Sequence, residues 1–342
     1  MINISIIIPH YNCFDTLNNC IISLNKSSFK NFETIIVNNN STDNSINQIS
    51  KIYPDIIIIN SQKNLGYAGG CNLGAKYAKG KYLIFLNNDT EHESTWIEHL
   101  FSFMENNPQV SSVQPKIKNL CNKKSFDYAG GSGGFIDILC YPFSRGRIFN
   151  TIESDHGQYN NNMEIFWASG TAFMTRRKLF NNVSGFDTYF FAHMEEIDYH
   201  WKCQLQGYEV WVEPLSCVYH IGGKTLSYKS PYKTFLNHRN SMIILLSNYS
   251  IVFSLILIIP RILLELVSIV KDFLFMRFNH SLAQIAAIII SIIRIDIIIK
   301  RRLHIANFRT INDRELLKKI YKGSIIFDYF LLRKKRFSKI NF

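Results

Sequence analysis

The segment KYLIFLNNDTE (81–91) most constrains what this chain can fold into. Its five apolar or aromatic residues, 82–86, read as a buried parallel strand. The run stops on three polar side chains, Asn87, Asn88 and Asp89. Beyond the carboxyl end of a strand in an open α/β sheet, such groups face a ligand site. An Asx-x-Asp pair there offers a hard divalent cation a few oxygen ligands and leaves room for substrate oxygens. An ordinary turn, rich in Asn and Asp, produces the same local pattern.

The neighbouring segments repeat this design. Residues 4–8 (ISIII) run into Pro9 with no basic segment before them, so they read as a first strand rather than a leader. Residues 14–24 have helical spacing, 32–37 form a second strand, 45–52 a short helix and 56–59 a third strand. Strands alternating with short helices predict a parallel sheet with helices on both faces. Polar clusters at Asn12, at 38–43 and at 87–89 close three of these strands and together describe a polar cleft on one sheet edge. The glycine-rich segment NLGYAGGCNLG (64–74) is neither GxGxxG nor a P-loop. Its glycines either bring backbone amides to a diphosphate at a helix start or let a helix pack closely on the sheet.

From 119 to 162 the periodicity fails, which predicts a lid or binding loop; the aromatic residues within it argue against disorder. Arg145 and Arg147 are candidates to clamp an anion there, with solvated surface arginines as the alternative. Strand character returns at 165–175, interrupted by Ser169-Gly170. FFAHMEEIDYHW (190–201) then leads into a helix on which Glu195 and Asp198 share a face, with Glu196 about a quarter-turn away. The density of acids suggests a catalytic carboxylate, although the dipole favours acids in any first helical turn. His220, after a short strand, reads either as structural or as a metal ligand.

Charge separates the tail from the body. Residues 261–342 hold 17 Lys+Arg against 6 Asp+Glu, a net +11 out of the chain's +12, so the body carries no basic face for nucleic acid. Seven cysteines form no CxxC pair and read as buried thiols of a reducing cytoplasm. Two apolar stretches, 243–259 and 282–299, approach spanning length. On a helix Ser281, Gln284, Ser291 and Arg294 share one arc, which suits a helix lying in the interface. The basic groups at 300–302, 318–319 and 333–336 suit an anionic leaflet. A helical subdomain packed on the core, or a homodimer contact through these helices, is the other reading.

Seven motifs stand in the order of one family: SIIIPHYN (5–12), VNNNSTDNS (37–45), NLGYAGGCNLG (64–74), LNNDT (86–90), SGTAF (169–173), GFDTYFFAHMEEIDYHW (185–201) and VYHIGGKTL (218–226). The chain resembles glycosyltransferase family 2, with the α/β GT-A (Rossmann-like) fold, and in particular its bacterial rhamnosyltransferase-like subgroup. The resemblance implies a mostly parallel sheet with helices on both faces in a catalytic domain at 1–238, with 119–162 as an acceptor loop. A hydrophobic, basic, membrane-associated helical region would occupy 239–342. It further implies donor contacts from Pro9, Tyr11, Asn12, Asn38, Asn40, Asp43, Asn64, Gly66, Asn72 and Asn88. Acceptor contacts would come from Arg145, Arg147, Trp167, Ser169 and Gly170. Asn87, Asp89 and His220 would hold Mg2+ or Mn2+. Glu196 falls at the general base, with Glu195 supporting it and Asp198 completing the acidic cluster.

This chain has Asn38 where the family usually has Asp; an amide oxygen still accepts a pyrimidine N3–H. Asn87 leaves Asp89 as the one charged ligand of its loop. The implied activity is inverting transfer from a UDP- or dTDP-linked sugar to a lipid-linked or oligosaccharide acceptor. It would serve bacterial surface polysaccharide synthesis, on the cytoplasmic face of the inner membrane, peripherally or monotopically. A sugar nucleotidyltransferase would need a basic phosphate loop, and residues 8–15 contain no Arg or Lys. A non-catalytic member of an assembly complex is disfavoured by the retained Glu195, Glu196, Asp198 and His220.

Overall fold

The computed structural model describes residues 2–222 and 230–342. The last part of the 218–226 motif therefore lies outside the described residues. The first half alternates as predicted: β1 (Ile4–His10), α1 (Phe14–Asn25), β2 (Phe32–Asn38), α2 (Ser45–Ile52), β3 (Ile57–Asn60), α3 (Gly66–Tyr77) and β4 (Tyr82–Leu86). Next come β5 (Thr90–His92), α4 (Trp96–Asn106), β6 (Val110–Asn119) and four short strands: β7 (Gly134–Ile136), β8 (Pro142–Ser144), β9 (Arg147–Ile148) and β10 (Thr151–Ile152). The body closes with β11 (Met163–Ile165), β12 (Ala172–Arg176), α5 (Arg177–Asn182), α6 (Glu195–Leu205) and β13 (Glu209–His220).

The main sheet has the order β11-β13-β6-β12-β4-β1-β2-β3, with β5 paired to β13. β1 to β4 are parallel, and β12 enters antiparallel between β4 and β6. Alternate residues of the central strands feed two cores, as parallel strands covered on both faces must. Ile7, Ile35, Leu83 and Phe85 pack with Ala68, Cys71 and Ala75 of α3. Ile6, Ile8, Ile36 and Ile84 pack with Leu17 and Ile21 of α1 and with Trp96 and Leu100 of α4.

Register determines where the polar ends meet. His10 pairs with Asn38, and Asn38 with Asn60, so β1, β2 and β3 finish in line. Ile7 pairs with Phe85, which carries residues 87–89 to the level of His10. His220, at the end of β13, pairs with Thr90 and so arrives beside Asp89.

The expected loop at 119–162 is instead largely a second, four-stranded antiparallel sheet, β10-β9-β8-β7. Its strands are two or three residues long, too short to register as alternation in sequence. Phe135 and Phe143 of this sheet pack with Phe337 and Phe342 from the chain's end.

The C-terminal helices are α7 (Pro231–Asn248), α8 (Ile251–Leu274), α9 (Phe278–Ile293) and α10 (Ile295–Ala306). α7 runs unbroken across the division expected at 238/239. The first apolar stretch does not form one helix ending at Pro260. It breaks after Asn248, where Ser250 caps the next helix by accepting from the Phe253 amide, and Pro260 sits inside α8. The second stretch bends by 63° at Arg294. The polar arc also points the other way from the expectation. Ser281, Gln284 and Ser291 are buried against the protein, as are Arg261, Glu265 and Asp272, while Leu255, Ile259, Leu263, Val267, Ile292 and Leu303 are exposed. Of these helices, α8 alone is long and apolar enough to cross a membrane unbroken among the described residues, with a mean hydropathy of 2.3.

Candidate active site

At the tips of β4 and β13, His220 lies between two carboxylates. Its Nε2 stands 3.1 Å from Asp89 Oδ1 and its Nδ1 2.9 Å from Asp127 Oδ1. The Asn87 amide lies 3.3 Å from Nε2. Burial alone lowers the His220 imidazole; Asp89 and Asp127 outweigh it and hold the ring up at about 10. Asp127, 1% exposed, also accepts the Ala129 amide at 2.7 Å. The sequence gives little sign of Asp127, because it sits in the stretch without periodicity. Its only signal there is an acid just before Gly130-Gly131.

These residues fit a divalent cation. An imidazole that gives one nitrogen to a buried carboxylate presents the other to a metal. Asp89 and Asn87 add oxygen donors of the hard type. Among the described residues no three acidic, imidazole or thiolate groups are grouped so as to hold a metal ion by themselves.

The residues expected at the donor side converge one strand further along. Asn38 Oδ1 accepts the Ser41 amide at 2.8 Å and its Nδ2 donates to Asn60 Oδ1 at 2.9 Å. Asn12 Oδ1 accepts the Thr42 amide at 2.8 Å, and Asp43 accepts the Cys13 amide at 2.7 Å. Burial raises the Asp43 carboxyl, but hydrogen bonds from Ser45 and the Cys13 amide bring it below its ordinary value. A cavity of about 330 Å³ opens here between Asn38, Asp43, Asn47, Ile58 and Asn60. Tyr11 (43% exposed) and Asn40 are open to solvent, whereas Pro9 packs close to Gly70. Asn88 reaches His10 Nδ1 at 2.8 Å, and His10 in turn meets Ser45 at 2.9 Å, tying the strand tips together.

Three donor-side expectations are corrected. Asn64 and Gly66 do not form a phosphate loop: Asn64 Oδ1 takes the Gly66 amide at 2.9 Å, and Phe191 O takes the Ala68 amide at 3.2 Å, so these donors of the α3 first turn are used. The glycines serve close approach instead. A Cβ on Gly70 would stand 2.8 Å from Asn39, and one on Gly74 2.5 Å from Ile7. Asn72 is a strut, with both ends of its amide on the Phe186 backbone at 2.7 and 3.0 Å.

On the acceptor side, Arg145 is buried, and its guanidinium is held by Ser132 and the Asn161 carbonyl, so it braces the small sheet rather than clamping a ligand. Trp167 donates its indole N–H to Phe135 O at 2.8 Å, and Ser169 binds Ala129 O and Gln114, so both are scaffold. Gly170 offers its carbonyl to the Tyr67 hydroxyl at 2.6 Å. Arg147 remains partly exposed. It stacks 4.1 Å above the Tyr128 ring, which Lys233 approaches at 5.8 Å.

The three acids of α6 have separate environments. Asp198 is fully buried between Arg301 (2.5 Å), Lys202 (2.7 Å) and Asn248 (2.9 Å), which corrects its placement among catalytic groups. Those charges, against the upward push of burial, hold it at about 2. Glu195 is buried near Tyr67 and Cys71 of α3, and burial together with Glu196 pushes its carboxyl well up. Glu196 alone of the three is not fully buried. Burial raises it to about 7, against the helix-start amides. One carboxyl oxygen of each of Glu195 and Glu196 is buried with no hydrogen-bond partner among the described residues.

The family model "Glycosyl transferase family 2" matches residues 5–184, just over half the chain. An Escherichia coli UDP-Glc:alpha-D-GlcNAc-diphosphoundecaprenol beta-1,3-glucosyltransferase is 40% identical over 30% of this chain and 41% of its own. A Staphylococcus aureus poly-beta-1,6-N-acetyl-D-glucosamine synthase is 25% identical over 65% of this chain and 51% of its own. The alignments thus span about half or less of these curated relatives. Among solved structures, GalNAc-T7 with UDP, GalNAc and Mn2+ superposes over 71% of this chain and 47% of its own at a TM-score of 0.57 and 15% identity. The S. aureus TarS 1–349 complex with UDP superposes over 71% of this chain and 65% of its own at 0.50 and 18%. The fold is GT-A, and the chain belongs to glycosyl transferase family 2.

Proposed function

We propose that the chain is a metal-dependent inverting glycosyltransferase that moves a hexose or deoxyhexose from a UDP- or dTDP-sugar to a hydroxyl of a lipid-linked or oligosaccharide acceptor. The observation that carries this reading is Asp89–His220–Asp127 at the strand tips together with Glu195 and Glu196 at the start of α6, each with a buried oxygen that has no hydrogen-bond partner among the described residues. The diphosphate of the donor would lie between the β4 tip and the nucleotide cleft at Asn38 and Asp43. A divalent cation held by Asn87, Asp89 and His220 would neutralise charge on the departing diphosphate. Asp127 keeps His220 turned so that Nε2 faces Asp89. Glu196 takes the proton of the acceptor hydroxyl; the acceptor oxygen bonds to the anomeric carbon as the bond to the diphosphate oxygen breaks, with inversion. Glu195 beside it supports its orientation.

Arg147 and Lys233, both over Tyr128, suit the phosphate of a lipid-linked acceptor. The E. coli relative, named for a diphosphoundecaprenol acceptor, supports that class and a place in bacterial surface polysaccharide synthesis. The apolar face of α8 and α9 beside a tail of net +11 supports seating on the anionic cytoplasmic leaflet of the inner membrane. A homodimer through the same helices is the other occupant that vesicle binding distinguishes.

A panel of UDP- and dTDP-sugars with Mn2+ tests the activity through release of free nucleoside diphosphate. Release from one or two donors, lost in EDTA, is the expected result. No release from any donor, with or without a lipid-diphosphate acceptor, would leave the chain a non-catalytic partner of an assembly complex.

A further inference from the structure

The five residues before Glu195 are held in an unfavourable backbone shape. Phe191, His193 and Met194 have φ of 61°, 68° and 74°, and residues 190–194 contain no glycine to accept such angles. Phe191, with ψ of −60°, forms a γ-turn of the rare, strained hand, closed by the Ala192 amide on Phe190 O at 2.6 Å. Met194 then opens α6 in the left-handed conformation without a side-chain cap. Such angles persist only where the surroundings over-determine them.

The surroundings that do so come from α7. Asn240 is fully buried, and its Nδ2 faces three carbonyls of this loop: Phe190 at 3.2 Å, Ala192 at 3.2 Å and His193 at 2.7 Å. Its Oδ1 accepts from Arg239 Nε and Nη2 at 2.9 and 2.7 Å, which fixes the end of the amide that faces the loop. Arg239 also donates to Tyr189 O at 3.0 Å. From the opposite side Ala68 N reaches Phe191 O, and Gly66 leaves that oxygen room, since a Cβ there would stand 2.4 Å from it. The loop is gripped between α3 and α7, and its far end carries Glu195 and Glu196.

We infer that Asn240, oriented by Arg239, is a positioning residue for glycosyl transfer, holding the strained loop 190–194 so that the first turn of α6 presents Glu196 to the acceptor. The inference rests on the proposed role of Glu196. It makes α7 part of the catalytic apparatus as well as the start of the apolar region. Three carbonyl oxygens converging on one group require a donor, so an amide is needed there, and a carboxylate of the same shape would repel them.

Asn240→Asp keeps the volume and the pairing with Arg239 but removes the hydrogens aimed at the loop. Three readouts apply: hydrogen exchange across 188–196 in the ligand-free protein, UDP binding with Mn2+ by calorimetry, and kcat with the nucleotide sugar selected by the panel. Exchange in 190–196 should rise at least tenfold with the central strands unchanged. UDP affinity should stay within twofold, and kcat should fall at least tenfold. Arg239→Met, which frees the amide to turn over, should give the same pattern at smaller size. Unchanged exchange, an unchanged kcat in both variants, or UDP affinity falling in step with kcat overturns the inference. If the parent protein turns over no sugar at all, the proposed activity fails by itself, and the exchange measurement still decides whether Asn240 holds the loop.

Discussion

Arg301 on α10 reaches through the protein to Asp198 on α6, and the structure sets the size of the effect of breaking that pair. The two side chains are 6% and 0% exposed. Removing one partner of a buried pair costs about 3–5 kcal/mol, because the other charge is left uncompensated. Here Asp198 keeps Lys202 at 2.7 Å and the Asn248 amide at 2.9 Å. Arg301→Met should therefore fall at the lower end, about 3 kcal/mol. Asp198→Asn strands Arg301 on the partly exposed Asp187 and should cost about the same. The double variant should lose less than the sum, with a coupling of about 2 kcal/mol.

Urea unfolding followed by the fluorescence of the chain's tryptophans, Trp201 of α6 among them, reads these values. Their pH dependence follows from the direction of the shift. Asp198 is held down at about 2, so its contribution is fully present above its unfolded pKa of about 4 and is lost as pH falls through about 2. The gap between parent and Arg301→Met should narrow across that window. A coupling under about 0.5 kcal/mol would refute the buried-pair account. So would an Asp198→Asn protein as stable as the parent yet inactive, which would return Asp198 to the chemistry.

Three further outcomes are expected. Asp127→Asn should weaken Mn2+ binding in the presence of UDP by about 10–100-fold, read by the Mn2+ spin-resonance signal, through loss of the group that orients His220; undiminished binding would remove Asp127 from that role. Turnover should rise with pH through about 7, because burial raises Glu196 to about 7 and a base acts only when ionised. The same raised carboxyl stabilises the fold below its unfolded pKa, and that contribution is lost as pH rises through about 7, the opposite sign to Asp198; a flat rate profile from weakly acid to weakly alkaline pH would count against Glu196. Ile259→Asp and Leu263→Asp, on the exposed face of α8, should cut sedimentation with phosphatidylglycerol vesicles several-fold while changing stability by no more than about 0.5 kcal/mol. Unchanged vesicle binding with loss of a dimer would assign that face to a second copy.

The first half of the fold was legible because its strands are buried on both faces and each announces itself as an apolar run ended by polar residues. The same rule placed Asn38, Asp43 and Asp89 at the strand ends. It missed Asp127, because the strands around it are too short to show a period. It also mistook Arg145 and Trp167 for ligand contacts, since sequence does not reveal that Ser132, Asn161 and Phe135 supply their partners. Asp198 was misplaced for the same reason: Arg301 is 103 residues away and meets it only through tertiary packing. In the tail, the apolar runs were visible, but their orientation was not. Polar residues that suggested a water-facing arc are buried, Gln284 donating to Asp272, and the apolar face is left outward. A cut near Asn240 removes Asn248 and Arg301 from Asp198.

The central claim is that Glu196 takes the proton from the acceptor while Glu195 and Asp198 do not. Glu196→Gln preserves shape and removes only the ability to accept a proton, so it isolates that step. With the donor identified by the panel, its kcat should fall by about a hundredfold or more, while UDP–Mn2+ affinity stays at the parent value, because the lost interaction belongs to the transition state. Near-normal turnover in Glu196→Gln, alongside an inactive and stably folded Glu195→Gln, would contradict the account and move the base to Glu195.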